Sequence, residues 1–180
     1  MTLSSKKAVF LDRDGTIIEE VNFLSNPDQV NLFTGTLEAL RSLKDAGYLI
    51  IVVTNQSGVG RGFFSEDDVH AVHARIQELT KDAVDAFYFC PHLPDDGCEC
   101  RKPGDGMMRQ AAMEFGIDLT KSWIIGDKSL DVRAGNFAGI KSILVRTGYG
   151  SSHEPDASAD TFFIADEILS AAEFILSQNN

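Results

Sequence analysis

A three-layer α/β fold, with an open, mainly parallel sheet and helices on both faces, is predicted by three features of the sequence. These are short apolar runs rich in β-branched residues, amphipathic segments between them, and polar residues placed just after the runs. Ala8–Leu11 is the first run, ending at Asp12, and Leu49–Val53 the second, ending at Thr54. Between them Leu37, Leu40 and Leu43 keep helical spacing, with Gly35 ahead of them and Gly47 placed to close the helix. Ser65 as N-cap, Asp68 three positions on, and the stripe Val69, Val72, Ile76 and Leu79 predict a second helix. Phe87–Cys90 reads as a strand, Pro91–Gly106 as a structured loop, and Met107–Phe115 as a helix stopped by Gly116. Trp123–Ile125 reads as a strand leading into Gly126 and Asp127, Asp131–Ala138 as a helix closed by Gly139, and Ser142–Val145 as a strand. Thr161–Ile164 and Ile168–Leu176 complete the alternation.

The chain has 180 residues, 43% hydrophobic and 24% charged, which suits a single domain over residues 1–180 and excludes disorder. Its formal charge of -11 repels polyanions, so a general nucleic-acid binder is not expected. No apolar run reaches the roughly 18–20 residues that span a bilayer, and Met1–Lys7 is too short and polar for a signal peptide. The expectation is a cytoplasmic protein with no membrane partner, and a monomer, since no long apolar surface helix is evident. No large insertion separates Asp14 from Thr54 or Thr54 from Lys102, which argues against a separate cap domain.

In a sheet of this kind, residues just past the strand ends meet at one edge, where ligands bind. That edge receives Asp12, Asp14, Thr54 and Asp127. A lone Asp-x-Asp is commonly a turn or a helix cap, but three strand-end acids repel one another unless a cation joins them. An all-oxygen set suits Mg²⁺. Phe10-Leu11-Asp12-Arg13-Asp14-Gly15-Thr16 resembles the first signature motif of the haloacid dehalogenase-like phosphatases. Thr54, Lys102 in Arg101-Lys102-Pro103, and Gly126-Asp127-Lys128-Ser129-Leu130-Asp131 resemble the other three motifs in the right order, so that the likeness spans residues 8–150. The resemblance implies Asp12 as nucleophile and Asp14 as acid and base. Thr54 and Lys102 would hold the phosphoryl group, Mg²⁺ would sit on Asp12, Asp127 and the backbone carbonyl of Asp14, and Asp131 would orient a neighbour.

The three cysteines all fall between Cys90 and Cys100, a poor disulfide framework. Cys90, His92, Cys98 and Cys100 instead make a full tetrahedral set for a structural Zn²⁺ that would steady the loop carrying Arg101 and Lys102. This loop resembles those of two related groups, the heptose bisphosphate phosphatases and the histidinol-phosphate phosphatases. Ser57 and Arg61, the Gly104-Asp105-Gly106-Met107 turn and the Val21–Leu24 loop match the heptose group better, while the short zinc loop resembles the histidinol group. A phosphorylated sugar is the expected substrate, contacted by Asn22, Thr54, Asn55, Gln56, Ser57, Arg61, Arg101, Lys102 and Lys128. A non-reacting phosphate needs further cations, for which Arg61, Arg101, Lys128 and Arg146 are available; for Arg61 and Arg146 a solvated surface charge is the commoner role, and for Arg101 and Lys128, which flank motif residues, a phosphate role is favoured. His70, His73 and His153 read as structural, and Phe63 and Phe64 as packing. A zinc-stapled binding module without catalysis is the rival class; its signature would be loss of Asp12 or Asp14, and both are present.

Overall fold

Six short strands pair in parallel throughout, in the order β3-β2-β1-β4-β5-β6. The computed structural model describes residues 5–179. Part of the Met1–Lys7 stretch and both ends of the expected 1–180 domain therefore lie outside the described residues. The strands are β1 (Lys7–Leu11), β2 (Tyr48–Asn55), β3 (Ala86–Cys90), β4 (Trp123–Gly126), β5 (Lys141–Val145) and β6 (Phe163–Ala165). The helices are α1 (Thr36–Asp45), α2 (Glu66–Leu79), α3 (Gly106–Phe115), α4 (Ser129–Ala138), α5 (Gly150–Ala157) and α6 (Ile168–Ser177).

Alternate residues of the central strands feed two cores, because side chains of a strand alternate between faces. Val9, Leu11, Ile50, Val52, Trp123 and Ile125 pack on one face with residues of α1, α2 and α6. Ala8, Phe10, Ile51, Val53 and Ile124 pack on the other with Met107, Met108 and Ala111 of α3 and Ala134 of α4. Both faces are covered, which is why these strands are continuous apolar runs rather than alternating ones.

Three elements differ from the sequence expectation. Helix α5 has no apolar stripe and contains Pro155, with Gly150 and Ala157 its buried members, so periodicity could not find it. Helix α4 starts two residues before Asp131, because the Asp131 carboxylate turns back to accept from the Lys128 N–H at 3.0 Å and caps the first turn. Strand β6 begins at Phe163 rather than Thr161, whose hydroxyl instead donates to the Ala157 carbonyl at 2.7 Å.

Register places the edge residues. Leu11 lies opposite Val52 on one side and Ile125 on the other, so Asp12 emerges beside Gly126 and Asp127. The chain winds to β2 and β3 on one side of β1 and crosses to β4 on the other, leaving the switch in strand order beside Asp12. Gly15 turns the chain away with φ +82°, and a Cβ there would lie 2.2 Å from Asp127 Oδ2. By contrast Gly47, at φ +84°, has open space around its missing side chain. Gly47→Ala should therefore cost only the left-handed backbone, about 1–2 kcal/mol. Gly15→Ala should cost more and displace Asp127, so thermal melts ranking Gly47→Ala as the more damaging change would contradict this packing.

Candidate active site

Burial decides the chemistry of the edge. The Lys102 ammonium, only 2% exposed, lies 2.9 Å from Asp12 Oδ1 and 2.6 Å from Asp131 Oδ1 and donates to the Val53 carbonyl at 2.8 Å. Burial opposes its charge, but Asp12 and Asp131 overcome that and hold the ammonium above its ordinary pKa. Burial likewise works against the Asp12 carboxylate; Lys102, Lys128 and the Arg13 N–H, which donates to Oδ1 at 2.8 Å, outweigh it and lower the pKa.

Asp127 is the misfit of the set. Its Oδ2 accepts from the Tyr149 N–H at 2.8 Å, but the buried Oδ1 has no hydrogen-bond partner among the described residues. The nearest ammonium, Lys128 Nζ, is 3.8 Å away. Burial and then the Asp12 charge push its pKa up to about 8, and burial raises Asp131 to about 6. Oxygens of Asp12, Asp127 and Asp131 lie within 4.8 Å of one another. An orphaned carboxylate oxygen among three crowded acids fits a hard divalent cation.

Asp14 stands apart from this cluster. Its carboxylate forks onto Arg13 Nε and Nη2 at 3.0 and 3.1 Å and accepts from Gln56 Nε2 at 2.9 Å. Its side chain is therefore not among the clustered acids, and a metal role is left to its backbone carbonyl. Gln56, expected at the substrate, also donates to Thr54 Oγ1 at 2.9 Å and so ties the two polar strand ends together.

Two adjoining cavities open here. One of about 210 Å³ is lined by Asp12, Asp14, Thr54, Asn55, Arg101, Lys102, Lys128 and Leu130. Beyond Asp14 lies one of about 130 Å³ lined by Arg13, Asp14, Glu20–Leu24, Asn55–Gly58 and Lys128. Of the expected substrate contacts, Asn22, Thr54, Asn55, Gln56, Ser57, Arg101, Lys102 and Lys128 line one or both cavities. Arg61 lines neither and sits on an exposed turn. Arg146 is committed elsewhere, paired with Glu154 and Asp166 at 2.7 Å each, in keeping with its reading as a surface charge. Arg13 and Glu20 had no motif reading as site residues; Glu20 faces Lys128 at 3.4 Å, and burial raises its pKa. His73 is buried and stacked on Phe87, with a pKa driven down to about 3 by burial and Arg13. His153 meets Ser129 at 3.1 Å. Phe63 packs against another loop residue, Phe23, rather than the core, and is 61% exposed.

The loop after β3 closes on itself. Cys90 Sγ lies 3.5 Å from His92 Nδ1 and 3.6 Å from Cys98 Sγ, and Cys100 Sγ lies 3.3 Å from His92 Nδ1 and 3.6 Å from Cys98 Sγ. Ligands roughly 2.0–2.3 Å from a tetrahedral ion are separated by about 3.5–3.8 Å, so the four atoms fit the corners of such a site. This knot is bonded to the catalytic edge. Gln56 N donates to the Cys90 carbonyl at 2.8 Å, Gly60 N to the Pro91 carbonyl at 3.0 Å, and the Asn55 amide exchanges two 3.0 Å bonds with the Lys102 backbone.

A family profile described as HAD-hydrolase-like matches residues 99–171. A D-glycero-beta-D-manno-heptose-1,7-bisphosphate 7-phosphatase of Haemophilus ducreyi is 40% identical over 166 residues, which cover 86% of this chain and 91% of that one. The chain belongs to the heptose bisphosphate phosphatase family of the haloacid dehalogenase-like hydrolases. Another member of this family, from Thermosynechococcus vestitus, is 38% identical across 94% of this chain and 95% of its own. The D,D-heptose 1,7-bisphosphate phosphatase of B. bronchiseptica, solved with magnesium and phosphate, superposes with a TM-score of 0.88 at 33% identity, over 96% of this chain and 99% of that one.

The raised Asp127 pKa carries a sign. Between pH 6.5 and 8 the folded, metal-free protein keeps a proton on Asp127 that the unfolded chain has released, so stability falls as pH rises, by at most about 1.4 kcal/mol per unit. Denaturant melts in a chelator of magnesium at these two pH values should show the fall, and Asp127→Asn should remove it. A wild-type protein that gains stability over this range contradicts the assignment.

Proposed function

We propose that this protein hydrolyses the 7-phosphate of D-glycero-D-manno-heptose 1,7-bisphosphate through a phosphoryl-aspartate on Asp12, in the synthesis of heptose precursors for surface glycans. The observation that carries the chemistry is the Asp12 carboxylate, buried but held ionised by Lys102 at the strand-order switch, with Asp14 lining the same cavity. The substrate is supported by the relatives named for it across nearly the whole chain.

Asp12 Oδ1 is engaged by the Arg13 N–H and Lys102, leaving Oδ2 to attack phosphorus as the P–O bond to the sugar breaks. The departing sugar oxygen takes a proton from Asp14, which the Arg13 fork and Gln56 hold in place. Asp14 then takes a proton from water as its oxygen attacks the phosphoryl-aspartate, releasing phosphate and restoring the Asp12 carboxylate and the protonated Asp14. Thr54, Lys102 and Arg101 would hold the phosphoryl oxygens, and Lys128, lining both cavities, would bridge them to the sugar side. Asp12, Asp127 and the Asp14 carbonyl would hold Mg²⁺, which would supply the positive charge that lets a carboxylate approach a phosphate dianion.

The Cys90, His92, Cys98 and Cys100 knot would hold structural Zn²⁺, all four positions being filled by protein. The reading is of a single-domain, monomeric enzyme. No helix among the described residues is long and apolar enough to cross a membrane, and three cysteines outside any disulfide suit the reducing cytoplasm.

Asp12→Asn should abolish turnover, and Asp14→Asn should lower kcat by about 10²–10⁴. Assay on the heptose bisphosphate and on histidinol phosphate decides the substrate: a larger kcat/KM on histidinol phosphate defeats this choice. Metal analysis should find one zinc per chain, lost in Cys98→Ser together with part of the activity. A zinc-free protein of full activity and unchanged Tm removes the knot from the account.

A further inference from the structure

Phe23 and Phe63 are large apolar side chains left 41% and 61% exposed, yet they are not solitary. Their rings meet edge to face, with centroids 4.8 Å apart and planes at 85°. They come from different loops: Phe23 follows β1 on the segment that carries Asp14, and Phe63 follows β2 on the segment that carries Gln56. Each loop is pinned close to its phenylalanine. Leu24 is buried in the core, while Gly60 N donates to the Pro91 carbonyl and Phe63 N to the Gly58 carbonyl at 2.9 Å. Phe23 holds φ +52°, a left-handed backbone that a bulky residue adopts only at a cost. A loop needing only to turn would be served better by Gly or Asn. What the strained backbone achieves here is contact between the two loops, beside the 130 Å³ cavity that Phe23 lines with Glu20, Asn22 and Ser57.

We infer that Phe23 and Phe63 form an aromatic clasp that sets the width of the leaving-group cavity and offers an apolar wall to the carbon skeleton of a phosphorylated sugar. The inference rests on the phosphatase reading above and concerns selection of the leaving group. Sugars present hydroxyl edges and C–H faces. Glu20 and Asn22 suit the former, and an aromatic wall suits the latter. Phe63 reaches the cavity through Phe23, so it is a positioning residue, and losing its ring frees Phe23 to leave the wall. A leaving group of two carbons, as in acetyl phosphate, is too small to need that wall.

The test is the ratio of kcat/KM on the heptose bisphosphate to kcat/KM on acetyl phosphate, in wild type, Phe63→Ala and Phe63→Tyr. Phe63→Ala should lower this ratio about tenfold, chiefly through the sugar KM, and Phe63→Tyr should return it to within about twofold of wild type. A ratio unchanged in Phe63→Ala overturns the clasp and leaves the phosphatase reading standing, as does equal loss in Phe63→Ala and Phe63→Tyr. A wild type that turns over acetyl phosphate but no sugar bisphosphate overturns the substrate reading, and the clasp with it.

Discussion

A buried ammonium among buried carboxylates governs this molecule. Taking one such charge out of water costs several kcal/mol, and Lys102 is tolerated only because Asp12, Asp131 and the Val53 carbonyl surround it. Around it the ledger of charge does not close. Asp12, Asp127 and Asp131 face Lys102 and Lys128, so negative charge exceeds positive, and the surplus falls on Asp127, whose pKa burial and Asp12 lift to about 8. A proton or a divalent cation can settle that surplus. With a dication in place the balance turns positive, which is what a phosphate dianion approaching a carboxylate requires.

The rest of the fold serves this arrangement. Parallel pairing brings Asp12 beside Gly126 and Asp127, and the change of winding direction next to β1 opens the sheet edge there. The loop of Cys90, His92, Cys98 and Cys100 is bonded to both the Lys102 segment and the loop after β2, through Asn55, Gln56 and Gly60. It therefore steadies Lys102 and the loop after β2 that lines the second cavity. An acidic protein thus gathers Arg101, Lys102 and Lys128 on the lining of one cavity, beside Asp12 and Asp14.

Much of this could be read from residue order alone. Buried parallel strands announce themselves as short β-branched runs, and Asp12, Thr54 and Asp127 stand out because each follows one. The Cys and His spacing was equally legible, since four soft ligands so close together have few other uses. What could not be read depends on contacts between distant segments. Helix α5 carries no periodic stripe. Arg146 looked like a free strand-end cation until Glu154 and Asp166 folded against it. Glu20 gained its place from the cavity it lines, and Phe63 from a ring forty residues earlier in the chain. Gln56 was found at the site, but its bonds to Asp14 and Thr54 required coordinates.

In the proposed reaction Asp12 itself attacks phosphorus. The most direct measurement is chemical trapping: react the protein with substrate and Mg²⁺, reduce with borohydride, and locate the modified residue by peptide mass spectrometry. Asp12 should be converted to the reduced product of an acyl phosphate, with Asp14, Asp127 and Asp131 unchanged. Turnover with no modification at Asp12, or with the label on another of these carboxylates, would contradict it.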